Sequence, residues 1–599
     1  MSDFKTIPEL VLHRVKVSAE KEAFSYPVDN GWKNVTWKQF GDKVREVAMG
    51  LRALGLQNEE RVAIFSNTRY DWVVADMGIL CGGGATTTIY PSTKPDDAAY
   101  IIQDSGTVMV FAELEEHVKK LTDQRAALPN VKHVITFDGK ASADGWVITY
   151  DELLAKGRTA SQDEYEKIAR SVKPDSLSVL IYTSGTTGKP KGVELTHDSW
   201  VYEAEAIDKL QLLREDDLQF LWLPLSHSFG KVLEVAQMRI GFKSAVDGRV
   251  DKIVANLGEV KPTFVAAVPR IFEKAYNAVL AKAKADGGMK YKIFQWALGV
   301  GREVSRVKQA RQEVGGLLAM KNAIADKLVF SKIKNRFGGR LRYFVSGSAP
   351  LARDLAEFFH SADILILEGY GLTESSAFSF VNRPDSYKFG TVGQVAPNSE
   401  VKIAPDGEIL IKGRGIMRGY RNLPEATNET VKDGWLYTGD IGELDAQGIL
   451  KITDRKKDLI KTSGGKYVAP QSIEGKFKTI CPYAQELIVH GNNRNFCTAL
   501  ISLTEVDIMK WASENGVSGT YADVVKDPKT HAMLKPYFDT LNSGLASYES
   551  IKKYAILPKE LTEKDGDLTP SLKVKRKAVE TKYKELLDGF YAGSVADAA

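Results

Sequence analysis

The spacing of apolar positions changes along this chain, and the changes divide it. Between residues 24 and 148 short apolar runs alternate with amphipathic stretches. Residues 61–65 predict a strand, 69–81 a helix with apolar side chains three and four apart, and 108–111 and 133–137 two further strands with a helix between them. The rhythm resumes with strands at 177–181, 219–223, 263–267, 341–345 and 364–367. Such alternation predicts an α/β fold of doubly wound, largely parallel sheets covered by helices. After residue 390 the strands shorten and Pro/Asp/Gly turns separate them; Ala404-Pro405-Asp406-Gly407 between 401–403 and 409–411 marks a hairpin. The pattern therefore predicts a large N-terminal domain, 1–454, that includes a small β-barrel-like subdomain at about 390–453. The charged run 455–458 reads as a joint, and 459–599 as a smaller α+β domain.

Composition narrows the classes. At 599 residues the chain is too long for one core. A net charge of +4 gives no electrostatic case for a nucleic-acid partner. Three cysteines, Cys81, Cys481 and Cys497, lack any disulfide or metal-ligand spacing, which suits a reducing, cytoplasmic setting. The first residues lack the apolar stretch of a signal peptide, and no run reaches about 18 apolar residues. The basic helical stretch 289–335 is read either as solvated surface or as a face for a membrane or partner, so peripheral membrane contact stays open. Oligomeric state is not encoded in any pattern here.

Candidate chemistry begins at Thr183-Ser184-Gly185-Thr186-Thr187-Gly188-Lys189, which follows the strand at 177–181. Glycines permit close backbone approach, and hydroxyls, N–H groups and ammonium groups suit a polyphosphate. The nucleoside-triphosphatase P-loop pattern fails, because Thr183 stands where its first glycine belongs and Pro190 follows Lys189. Other strands end in similar turns, where ligands bind in open α/β sheets. Gly347-Ser348-Ala349 is small enough to admit a flat base. In Glu368-Gly369-Tyr370-Gly371-Leu372-Thr373-Glu374, Tyr370 could stack on a base, Thr373 bond a phosphate, and Glu374 either ligate Mg2+ or cap a helix. Asp440 is either a ribose ligand or a plain turn residue.

Taken in order, these segments resemble the AMP-forming acyl-CoA synthetases, the acyl-adenylate/luciferase superfamily, over nearly the whole chain. The matching stretches are 182–192, 223–229, 369–374, 437–440, 454–465 and 568–576. Residues 340–347 and 568–576 are most similar to the long-chain fatty acid–CoA ligase branch. The resemblance implies ATP-dependent conversion of a fatty acid to acyl-AMP, then transfer to coenzyme A, with ATP, Mg2+ and coenzyme A required. It implies Glu374, with Thr186, as metal ligands, Arg455 on ribose or phosphate, and Lys573 bridging carboxylate and α-phosphate. It also implies a mobile C-terminal domain that turns about Lys457 to bring Gly464 and Gly465 to the site for the thioester step. His227 falls at the family's gate beside the acid carboxylate, though a core or capping histidine is the alternative. Trp222 and Phe229, with Trp200 and Tyr202, are candidates for the acyl tunnel or for plain core. The motif ends Ser228-Phe229-Gly230-Lys231, where many long-chain members carry an acidic residue or arginine. Rival functions are a ligase for a medium-chain or aryl acid, transfer to a carrier protein, and a non-catalytic lipid-binding protein.

Overall fold

The computed structural model describes residues 4–183, 189–569 and 573–592. Two large sheets form the N-terminal part. In one, six adjacent strands from Leu177–Thr183 to Val147–Thr149 pair in parallel. In the other, six from Ile366–Tyr370 to Glu22–Val28 do the same. Antiparallel strands finish the edges. The strand Leu177–Thr183 turns back into Lys191–Thr196, with Thr183 opposite Lys191, so the glycine loop joins two antiparallel strands.

One apolar core runs between the sheets. The helix Tyr70–Cys81 lies inside it and is buried on every side except at Asp71. Its sequence therefore carries no polar stripe, as a helix covered all round requires. Its one internal carboxylate, Asp76, is paired with the ammonium of Lys231, which also meets Glu234 at 3.0 Å; all three are fully buried. The lysine that departs from the family motif thus fastens the helix Ser228–Ile240 to the core.

The strands Glu400–Ile403, Glu408–Lys412, Val431–Lys432, Trp435–Leu444 and Leu450–Arg455 make the small β unit, an open antiparallel sheet over its own cluster of Phe380, Ile409, Ile411 and Leu450. Beyond it the chain turns at 455–458 and builds a three-stranded sheet, Ala484–His490, Cys497–Leu503 and Ile551–Ile556, with separate cores. Among the described residues no apolar cluster joins this C-terminal unit to the rest. The seam holds polar contacts instead: Ser92 donates to Glu563 at 2.6 Å, Arg270 meets Glu486 at 3.6 Å, and Lys478 meets Glu273 at 3.7 Å. Such a seam can part without exposing a core.

Candidate active site

The site lies beyond the carboxyl ends of the central strands, as open α/β sheets dictate. Tyr343–Ser346 delivers Gly347 and Ser348, and Ile366–Tyr370 runs into Gly371 and Thr373. The turn after Tyr370 is tight: a Cβ on Gly371 would sit 1.7 Å from the Ala377 carbonyl oxygen, so only glycine fits. Gly347, Ser348, Gly369, Tyr370 and Gly371 share a cavity wall with His227 and Phe229, while Ala349 is exposed at the rim. The cavity takes in about 690 Å³ when the open space at its mouth is counted. Apart from Ser228, its remaining lining is apolar, from Leu213, Val232, Leu233, Val345 and Phe378 among others.

His227 caps the helix Ser228–Ile240: its Nδ1 accepts from the Phe229 N–H at 3.2 Å. That bond leaves the proton on Nε2. Burial and the charge of Lys573 push the imidazole pKa down to about 3, so the ring stays neutral and can donate one hydrogen bond at the cavity mouth.

Lys573 comes from the other unit. It adjoins the Leu568–Val574 bridge: the Thr569 N–H donates to the Lys573 carbonyl at 2.8 Å, and the Lys573 N–H donates to Thr569 Oγ1 at 3.0 Å. Its residue surface remains open to solvent, yet its ammonium lies within electrostatic reach of His227, Glu374, Asp440 and Arg455. Crowding by the cleft lowers its pKa to about 8, with the Arg455 charge acting the same way and Asp440 and Glu374 opposing. The charged form is therefore lost as pH rises through 8. We expect kcat/KM for pyrophosphate release to fall along a basic limb near pH 8, since this ratio reports the free enzyme. Lys573→Arg keeps its charge and should remove that limb from the pH–rate profile.

Asp440, buried, accepts from Tyr370 Oη at 2.6 Å and meets Arg455 Nε at 3.2 Å. Burial raises its pKa above the ordinary carboxylate value, with Arg455 pulling against it. Glu374 is half-buried; its Oε1 accepts from Tyr420 Oη at 2.8 Å, and its second oxygen has no partner among the described residues. Tyr420 also lies under the Lys191 ammonium, 4.9 Å from its ring centre, and so links the exit of the glycine loop to Glu374. Thr373 Oγ1 lies 3.4 Å from Ser228 Oγ. Thr183 ends its strand, and the Lys189 ammonium sits 4.6 Å from the Tyr100 ring centre. Ser184, Gly185, Thr186, Thr187 and Gly188 lie outside the described residues.

Several expectations change. Trp222 does not line the cavity: its indole is buried and donates to the Ala266 carbonyl at 3.0 Å. Trp200 and Tyr202 are likewise buried outside its walls. Glu368 is buried beneath the turn, accepts from the Gly390 N–H at 2.9 Å, and has its pKa raised to about 8 by burial. It braces the turn from below. Lys457 is exposed in the joint, and Gly464 and Gly465 form an exposed hairpin turn. Tyr420, Leu213 and Phe378 were missed, since a two-residue strand and isolated apolar positions give no local signal.

Residues 11–421 match the family model described as AMP-binding enzyme, and 457–595 match the AMP-binding enzyme C-terminal domain. The chain is 35% identical over 574 residues to the long-chain-fatty-acid–CoA ligase FadD15 of Mycobacterium bovis, covering 94% of this chain and 93% of that protein. It is 29% identical over 617 residues to the human long-chain-fatty-acid–CoA ligase ACSBG2, covering 98% and 92%. The fold matches the anthranilate CoA ligase AuaEII in complex with anthranoyl-AMP, with a TM-score of 0.72, 19% identity and coverage of 98% and 99%. It also matches the adenylation domain of a Mycobacterium chelonae carboxylate reductase, with a TM-score of 0.77, 20% identity and coverage of 98% and 91%. With nucleotide-type turns, a docked lysine and both parts of the family model in order, this chain belongs to the AMP-binding enzyme family.

Proposed function

We propose that the chain is an ATP- and Mg2+-dependent long-chain fatty acid–CoA ligase. The observation that carries this is the apolar cavity whose mouth is shared by the nucleotide-type turns and His227. On this reading the apolar part of the cavity takes the hydrocarbon chain and its mouth adjoins the phosphates. The names of the relatives at 29–35% identity support the same reading.

In the first half-reaction a carboxylate oxygen bonds to the α-phosphorus of ATP and the bond to pyrophosphate breaks. Both reactants are anions, so the site must neutralise charge and hold them in line. Lys573 supplies a cation between them, and the neutral His227 donates from Nε2 to the acid. Asp440 accepts from ribose hydroxyls, and Tyr370 stacks on the base. Glu374 fits Mg2+: one oxygen is held by Tyr420, the other is open, and a site with one carboxylate suits an ion that takes its other ligands from phosphates and water. When bound, Mg2+ neutralises phosphate charge. In the second half-reaction the coenzyme A sulfur bonds to the acyl carbon and AMP leaves. For that step we assign 455–458 as the hinge between 1–454 and 459–599, with Lys457 as its pivot and Gly464 and Gly465 as the turn brought to the site.

A panel of acids, each assayed for pyrophosphate release with and without coenzyme A, tests the assignment. Turnover with a carrier protein and none with coenzyme A would overturn it. Leu213 precedes the strand Leu218–Leu221 and His227 follows it, so the cavity runs along that strand. Leu213→Trp should therefore shorten the compartment, raising KM for hexadecanoate at least about tenfold while sparing octanoate.

A further inference from the structure

The helix Gly316–Ala325 continues through a π-helical turn, Asp326–Phe330, into Ser331–Arg336. Residues 316–336 thus make one rod roughly 30 Å long at 1.5 Å per residue. Its inner side is already satisfied. Ala325, Phe330 and Ile333 are buried, and the Phe330 ring packs so closely on Gly301 of the helix Gly288–Gln309 that a Cβ there would sit 2.9 Å away. Its outer side is not. Leu317, Met320, Ile324 and Leu328 are 65%, 65%, 51% and 43% exposed, and steps of three, four and four residues align them. An ordered line of large apolar side chains in water marks a contact surface.

Charge selects the occupant. Residues 316–336 hold Lys321, Lys327, Lys332, Lys334 and Arg336 against one acid, Asp326, and that acid is taken by Lys334 at 2.7 Å. Lys321, Lys327 and Lys332 are exposed and have no carboxylate partner among the described residues. A second copy of the same face would bring these lysines against each other. We propose that this face docks on an anionic lipid bilayer, its apolar line entering the headgroup–acyl boundary and its lysines pairing with lipid phosphates. Apolar burial with flanking cations is the physics of interfacial helices. The face holds none of the site residues, so docking leaves the cleft free.

The test is flotation of the full chain with phosphatidylcholine vesicles, with and without phosphatidylglycerol. Flotation with the anionic vesicles alone, weakening as salt rises, is expected. Replacing Leu317, Met320, Ile324 and Leu328 by Gln should cut vesicle affinity at least tenfold while octanoate turnover is unchanged. Replacing Lys321, Lys327 and Lys332 by Gln should lower it about fivefold per lysine, because each cation near an anionic surface contributes about that factor. No flotation of the unaltered chain, or equal flotation of all three proteins, would overturn the proposal. So would a dimer in light scattering that the Gln variants turn into a monomer, because the face would then belong to a second copy.

Discussion

Lys573→Ala should slow acyl-adenylate formation by about 10²- to 10³-fold, the loss typical of removing one preorganised group from a developing charge. Transfer from supplied acyl-AMP to coenzyme A should stay within about threefold of the unaltered enzyme, a barrier change below 1 kcal/mol. The asymmetry follows from position. The ammonium reaches the cleft only through the C-terminal unit, where it faces His227, Glu374 and Asp440 together. The first step joins two anions and needs that cation. The second uses an anhydride already activated, and a lysine on the adenylate would obstruct the thiol. Pyrophosphate release measures one step, and thioester formation from purified acyl-AMP measures the other. Equal losses in both would rule out the division of labour.

Lys457→Pro should produce the opposite pattern. In the present arrangement the chain turns at 455–458 with the Asp458 and Leu459 N–H groups donating to the Arg455 carbonyl at 2.9 and 3.0 Å. The Lys457 N–H makes no backbone bond among the described residues, so proline there removes no backbone hydrogen bond. On the proposed hinge, a swing of the C-terminal unit would require φ to change at this joint, and the pyrrolidine ring resists that change. A strain of about 1.4 kcal/mol in the rotated state lowers its population about tenfold. Pyrophosphate release should thus stay near normal while transfer to coenzyme A falls at least that far. Loss of adenylation, with transfer intact, would place the pivot elsewhere.

Much of this organisation was legible because strand ends announce themselves. A buried run closing in glycine and hydroxyl residues singled out Gly347, Gly369 and Tyr370, which the structure brings to one cavity wall, and the Pro-Asp-Gly turn marked the hairpin of the β unit. The helix Tyr70–Cys81 was visible but its setting was not, since only the second sheet explains burial on both sides. The tryptophans misled: bulk and nearness to the motif made Trp222 look like a tunnel wall, whereas its N–H needed the Ala266 carbonyl and turned it into the core. Lys231 was a different case. It stood out only as a departure from the motif, and its place in the fold was not legible, because its two carboxylate partners are Asp76, on a distant helix, and Glu234. Tyr420 could not be found, because its role rests on Lys191 and Glu374 meeting it from separate segments.

Among the described residues, no apolar cluster is shared by the two units, and polar contacts lie at the boundary between them. Inheritance can work on such a boundary. A change in the smaller unit that alters which thiol it welcomes need not be repaired inside the larger one, and a recut acyl compartment need not be answered by the smaller. Acid choice and acceptor choice are therefore free to diversify separately in descendants of this chain, with Lys573 as a feature that both histories must respect.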